Sequence, residues 1–154
     1  MAQRDMRRNG CGLSSTSDQT TVETKRKQIE KTCTAFCAAI NENDSYVLFT
    51  DEELIGLEDL DRFPREEFSG KIKIGLKAPS TLPVFKFAKS SMTRRKVYEA
   101  VSTKCQKVNT PRFLEVLKLR DECAKLLGYD NHAHYMCEVK MVGTAQKAEE
   151  VFWN

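Results

Sequence analysis

At 154 residues, with 40% hydrophobic and 31% charged side chains, the chain has a globular composition and enough apolar surface to bury a core. Its 25 basic residues exceed the 22 acidic ones by a formal charge of +3, too little to point to a nucleic-acid partner. No apolar run approaches the roughly 18 residues of a bilayer span, so no membrane partner is expected either.

Residues 1–19 carry Gly, Ser, Thr and Asn without periodicity and read as a mobile N-terminal arm. The start lacks an apolar signal core. Arg4, Arg7 and Arg8 hint at a mitochondrial presequence, but Asp5 argues against one, so a cytoplasmic protein is expected. Thr20 with Glu23 forms a capping box for the first helix. Its apolar stripe is Ile29, Cys33, Phe36, Cys37 and Ile40, and Asn41 to Asp44 ends it. Tyr46 to Phe49 is short and extended. Thr50 with Glu53 makes a second capping box, whose turns stop at Gly56.

Ile72, Ile74 and Leu76 alternate with Lys71, Lys73 and Lys77, the pattern of a half-buried strand. Its only plausible partner in the chain is Tyr46 to Phe49, giving a two-stranded ribbon that needs helices to cover it. Pro79 and Pro83 bracket a loop leading to a short helix at Val84 to Ala88, where two of Val84, Phe85 and Phe87 are expected to be buried. Ser90 or Ser91 caps the next helix, with the stripe Val97, Ala100, Val101 and Cys105.

Pro111 suits the first position of a following helix. Phe113, Leu117, Ala124 and Leu127 form its stripe, widened by Val116, Leu119, Cys123 and Leu126. Gly128 closes it as a left-handed C′ residue. Asp130 or Asn131 caps the next helix, whose face is Tyr135, Met136 and Val139. Thr144 caps a last helix, where Val151, Phe152 and Trp153 call for an apolar cover. The fold class is mostly α: helical hairpins with one short strand or a two-stranded ribbon.

Few side chains along the chain offer chemistry. Of six cysteines, all but Cys11 fall on apolar helix faces, no C-x-x-C pair occurs, and buried thiols in a reducing compartment are expected. Lys25 to Lys27 and Thr93 to Lys96 are solvated basic faces, with Arg94 or Arg95 as candidates for binding a peptide carboxylate. The two histidines, His132 and His134, are two residues apart and so lie on different faces of a helix. His134 and Cys137 are one turn apart, but no third or fourth ligand is near in sequence. No catalytic, cofactor-binding or metal-ligating residue is assigned.

The wording of the chain is more specific than its periodicity. LRDECAKLLGYDNHAHYMCEVKM, Leu119 to Met141, closely resembles a segment of the zinc metallo-oligopeptidases, the family of thimet oligopeptidase, neurolysin and saccharolysin. Upstream, SSMTRRKVYEAVSTKC, GKIKIGLKAPSTLPVFKFAKS, FTDEELIGL and KRKQIEKTCTAFCAAINENDSYVLF are similar to family segments in the same order. One departure is Met92, where the family usually has an acid after the helix cap.

The resemblance implies two mostly helical lobes around a channel that admits short peptides, with zinc-activated water as nucleophile. It implies that residues 20–89 are the end of the family's N-terminal helical region with a short β element. Residues 90–154 would then be the first helices of the peptidase domain, and the stop at Asn154 looks like a truncation. The family's zinc motif, His-Glu-x-x-His, lies further C-terminal and is absent from these 154 residues. Zinc is therefore expected in the full-length family and not on this chain, which is predicted to be inactive alone and to serve as channel-wall scaffold. The alternative is a non-catalytic helical interaction module that binds a protein partner, either a full-length relative or a second copy associating through the exposed apolar C-terminal helix.

Overall fold

A computed structural model describes residues 2–153. Seven α-helices and one antiparallel two-stranded ribbon make up most of them. The helices are α1 (Ala2–Arg8), α2 (Thr16–Asn41), α3 (Ala78–Phe87), α4 (Ser91–Thr103), α5 (Gln106–Leu126), α6 (His132–Cys137) and α7 (Ala145–Trp153). The strands are β1 (Tyr46–Phe49) and β2 (Ile72–Gly75). The chain is mostly α, as its sequence implies. It divides into two compact units, Met1–Cys37 with Asn109–Asn154, and Ala38–Val108.

The second unit is built on the ribbon. Phe49 pairs with Ile72 and Val47 with Ile74, so β2 turns Ile72 and Ile74 to one face and Lys73 to the other. That face packs with Phe49, Leu54, Phe63, Val84, Ala88 and Val97 into the unit's core. The capping box forms as expected: the Thr50 N–H donates to Glu53 Oε2 (2.8 Å), and the Glu53 N–H to Thr50 Oγ1 (3.4 Å). Ser90 caps α4 by accepting from the Thr93 N–H at 3.3 Å.

The proline-bracketed loop is not a loop. Helix α3 begins at Ala78, with Pro79 in the first turn and Pro83 inside it. Pro79 fits there because that N–H has no helical partner. Pro83 leaves the Pro79 carbonyl without its helical donor, and the Arg62 Nη2 donates to that oxygen at 3.3 Å. A helix from Ala78 also changes which side chains face inward. Thr81, Val84 and Ala88 are buried, whereas Phe85 and Phe87 turn outward, so one of the three expected core residues is buried and not two.

In the first unit the expected arm is helical over Ala2–Arg8, with α2 starting at Thr16, upstream of the Thr20–Glu23 box. Thr20 instead donates its hydroxyl to the Thr16 carbonyl, and Glu23 pairs with Lys27 one turn on. Helix α5 starts at Gln106, five residues before Pro111. Cys105, at φ 60°, breaks the chain after α4, and the Val108 N–H donates to the Cys105 carbonyl to open the new helix. Val116, Leu119, Cys123, Ala124 and Leu127 are buried, but Phe113 and Leu117 are exposed, so the buried stripe is rotated from the expected one.

Candidate functional site

The α5–α6 hairpin is fixed by its turn. Gly128 takes φ 83°, the Tyr129 N–H donates to the Ala124 carbonyl (2.9 Å), and the Gly128 N–H to the Lys125 carbonyl (3.0 Å). This is the double bond pattern of a glycine-terminated helix. Asn131 then caps α6, its Oδ1 accepting from the His134 N–H at 3.0 Å.

Helix α2 lies along α5 within the same unit, joined by polar contacts. Lys25 Nζ is 2.5 Å from Glu122 Oε2, and Gln28 Nε2 donates to Glu115 Oε1 at 2.7 Å. Buried Asn109 donates to the Phe36 carbonyl (3.1 Å) and accepts from Arg112 (3.0 Å).

Glu138 is the focus of the hairpin's charge. Tyr129 Oη donates to Glu138 Oε2 at 2.5 Å, Arg8 Nη1 does so at 2.9 Å, and Arg7 pairs with Oε1. The Tyr129 hydroxyl and these two guanidinium groups hold the carboxyl below the usual carboxylate range. Arg8, 9% exposed, also donates to the Tyr135 carbonyl, and its guanidinium lies 3.9 Å from the centre of the Tyr135 ring. The Arg8 carbonyl in turn accepts from Arg26 Nη2 at 2.7 Å. This knot ties α1 to the hairpin and explains why the N-terminal segment is ordered into a helix. Sequence reading missed it; the one signal was Glu138 itself, the only acid between Asp130 and Glu149.

A cavity of about 180 Å³ opens beside this knot, between α2, α5 and α6. Ile29, Cys123, Ala124 and Leu127 give it an apolar floor, and Arg26 and Arg120 stand at its rim. His132 and Tyr135 form a side wall, their rings 5.8 Å apart and nearly parallel at 29°. Burial, with the nearby Arg120 charge, pushes the His132 imidazole below its ordinary value.

The two histidines are not brought together. His134 is held by its own neighbours, Nδ1 3.0 Å from Asp130 Oδ2 and Nε2 3.1 Å from Gln146 Nε2. No three His, Cys, Asp or Glu side chains converge to hold a metal among the described residues, Cys137 included. Arg94 donates to the Ala88 and Lys89 carbonyls at the end of α3, and Arg95 pairs with Glu99 at 2.7 Å, so both peptide-carboxylate candidates are engaged in local contacts. The cysteines are free thiols; Cys123 is buried, but Cys37 is exposed, against the expectation for its helix face.

The sequence pattern of peptidase family M3 matches residues 84–153. Oligopeptidase PhomG of Diaporthe leptostromiformis is 32% identical over 156 residues, covering 95% of this chain and 21% of its own length. Saccharolysin of Saccharomyces cerevisiae is 35% identical over 123 residues, 75% of this chain and 17% of its own. The thimet-like oligopeptidase of Dictyostelium discoideum is 36% identical over 110 residues, 70% and 16% respectively. Similarity to named oligopeptidases along nearly the whole helical chain defines its class. It belongs to peptidase family M3. The chain spans between about a sixth and a fifth of the length of these relatives.

Proposed function

We propose that these residues are wall scaffold for a zinc-dependent peptidase channel that acts on short peptides, and that they contribute no catalytic group. The observation that carries this reading is the colinear similarity to an oligopeptidase over 95% of the chain, combined with a sequence that has two histidines and no His-Glu-x-x-His. Residues 20–89 correspond in this reading to the end of an N-terminal helical region, and 90–154 to the first helices of a peptidase domain. The site of action is the cytoplasm. Among the described residues no helix is long and apolar enough to cross a membrane.

A fluorogenic peptide incubated with the purified chain and added zinc is expected to stay intact. Turnover that a chelator abolishes would refute the proposal.

A second reading, a helical interaction module, has one observation in its favour. Val151, Phe152 and Trp153 at the end of α7 are all exposed, Trp153 at 84%. Such a module would bind a protein partner, and self-association through this helix is the form that is tested on the chain alone. Light scattering on the eluting chain separates the two: a concentration-dependent dimer favours the module, and a monomer at all concentrations favours the scaffold.

A further inference from the structure

The cavity between α2, α5 and α6 is needed by neither reading above. Its volume of about 180 Å³ exceeds the roughly 150 Å³ that holds a benzene ring in an engineered apolar cavity. The floor of Ile29, Cys123, Ala124 and Leu127 offers no strong hydrogen-bonding side chain, so a ligand group reaching it must be apolar. The rim has the opposite character.

Arg26 is anchored by one nitrogen, Nη2, which donates to the Arg8 carbonyl and lies 3.4 Å from Tyr135 Oη. Arg120 has no hydrogen bond or ion pair among the described residues, although Asp121 and Glu122 are its sequence neighbours. Both of those acids are taken: Asp121 by Lys125 at 2.7 Å, and Glu122 by Lys25 at 2.5 Å. No acid lines the cavity. A guanidinium left free at the mouth of an apolar hole, with a second one lining the same hole, is complementary to an anion carrying an apolar group.

We infer that this cavity binds a small monocarboxylate whose apolar part is the size of a phenyl or leucine side chain. The apolar group fills the floor against Ile29, Ala124 and Leu127, and the carboxylate meets Arg120 and Arg26 at the rim. The flat face of the His132–Tyr135 pair closes one side. Two sources share this chemistry, a free aryl or branched aliphatic acid and the C-terminal residue of a peptide.

The test is a titration of the 154-residue chain with 3-phenylpropanoate for the free acid and N-acetylphenylalanine for the peptide end, followed by nuclear magnetic resonance. The chain has two histidines, so its imidazole signals form a two-residue reporter. Saturable movement of the His132 ring signals with His134 unmoved is expected for at least one acid, and whichever acid binds tighter names the source. The neutral amides, 3-phenylpropanamide and N-acetylphenylalaninamide, are expected to bind about tenfold or more weaker. Arg120→Gln should weaken the acids by a similar factor without changing the amides. Ile29→Phe, at a half-buried position, should block all four by filling the floor.

Equal binding of acids and amides would overturn the proposal. So would His132 signals that stay fixed, or move linearly without saturation, at millimolar ligand. Since the wild-type signals decide the matter by themselves, a variant that fails to fold leaves the outcome intact. A bound acid alongside peptide hydrolysis would overturn the scaffold reading and leave this one standing.

Discussion

Two glycines in left-handed backbone separate conformational strain from steric exclusion at the scale of single residues. Gly128 has φ 83° and open space around a would-be Cβ; Gly56 has φ 107° and a would-be Cβ only 2.2 Å from the Phe87 carbonyl oxygen. Gly128→Ala is therefore expected to destabilise by about 1–2 kcal/mol, the strain alone. Gly56→Ala carries comparable strain plus a backbone clash, so its urea midpoint should fall clearly below that of Gly128→Ala. Equal midpoints would show that the Gly56 turn relaxes at little cost. A third residue-scale outcome concerns Glu138. Glu138→Gln keeps the shape but removes the charge that Arg8 and Arg7 meet, and is expected to cost about 1–2 kcal/mol in thermal or urea unfolding. No loss at low salt would mean that the knot contributes only packing.

Elements are fixed by caps at their ends and by partners along their sides, and the two are legible to different degrees. The Thr50–Glu53 box, the Ser90 and Asn131 caps and the Gly128 stop stand where the sequence puts them, because each involves hydrogen bonds among residues at most five apart. Other helices begin upstream of the positions their sequences suggest, even where a capping box or a proline marks a start. Thr20 is inside α2 because its hydroxyl finds the carbonyl four residues back, and Pro111 and Pro83 are inside helices whose upstream turns have other support. Met92, exposed in the first turn of α4, sits where a carboxylate would meet the helix dipole. Met92→Glu is expected to raise stability by about 0.3–1 kcal/mol at low ionic strength, with the gain shrinking as salt is added. A gain unaffected by salt would point to removal of an exposed apolar side chain as the cause.

For the molecule taken as one, acid stability draws on paired carboxylates such as Glu23, Asp51 and Glu122, and on two groups in the first unit with distinct pH windows. His132 is held below its ordinary value of 6.5 chiefly by burial, so the fold prefers its neutral form. Its contribution is complete above pH 6.5 and is lost as pH falls through the depressed folded value. Glu138 is held below 4.5, first by Tyr129 and then by its arginines, so its contribution is present above pH 4.5 and lost below, as the folded carboxyl takes up a proton. Stability is therefore expected to decline in two stages on acidification. In His132→Phe the stage beginning near pH 6.5 should vanish while the lower one remains, measured by the urea midpoint at each pH. A single decline confined to pH below 4.5 in the wild-type chain would contradict the burial of His132.

Local architecture and family membership are written in the chain alone. Turn and cap chemistry acts within a few residues, and the order of peptidase-like segments survives whatever the side chains touch. The ribbon is legible too, because alternation at Ile72, Ile74 and Leu76 leaves one possible partner. Packing in three dimensions was needed to settle which face of α5 is covered and that Phe85 and Phe87 turn out. It was needed as well for Arg8, drawn inward by Glu138 and Tyr135 across some 130 residues of chain. Burial is a property of partners, and neither the guanidinium that enters a core nor the hollow bordered by Arg26 and Arg120 has a signature in the residues on either side of it.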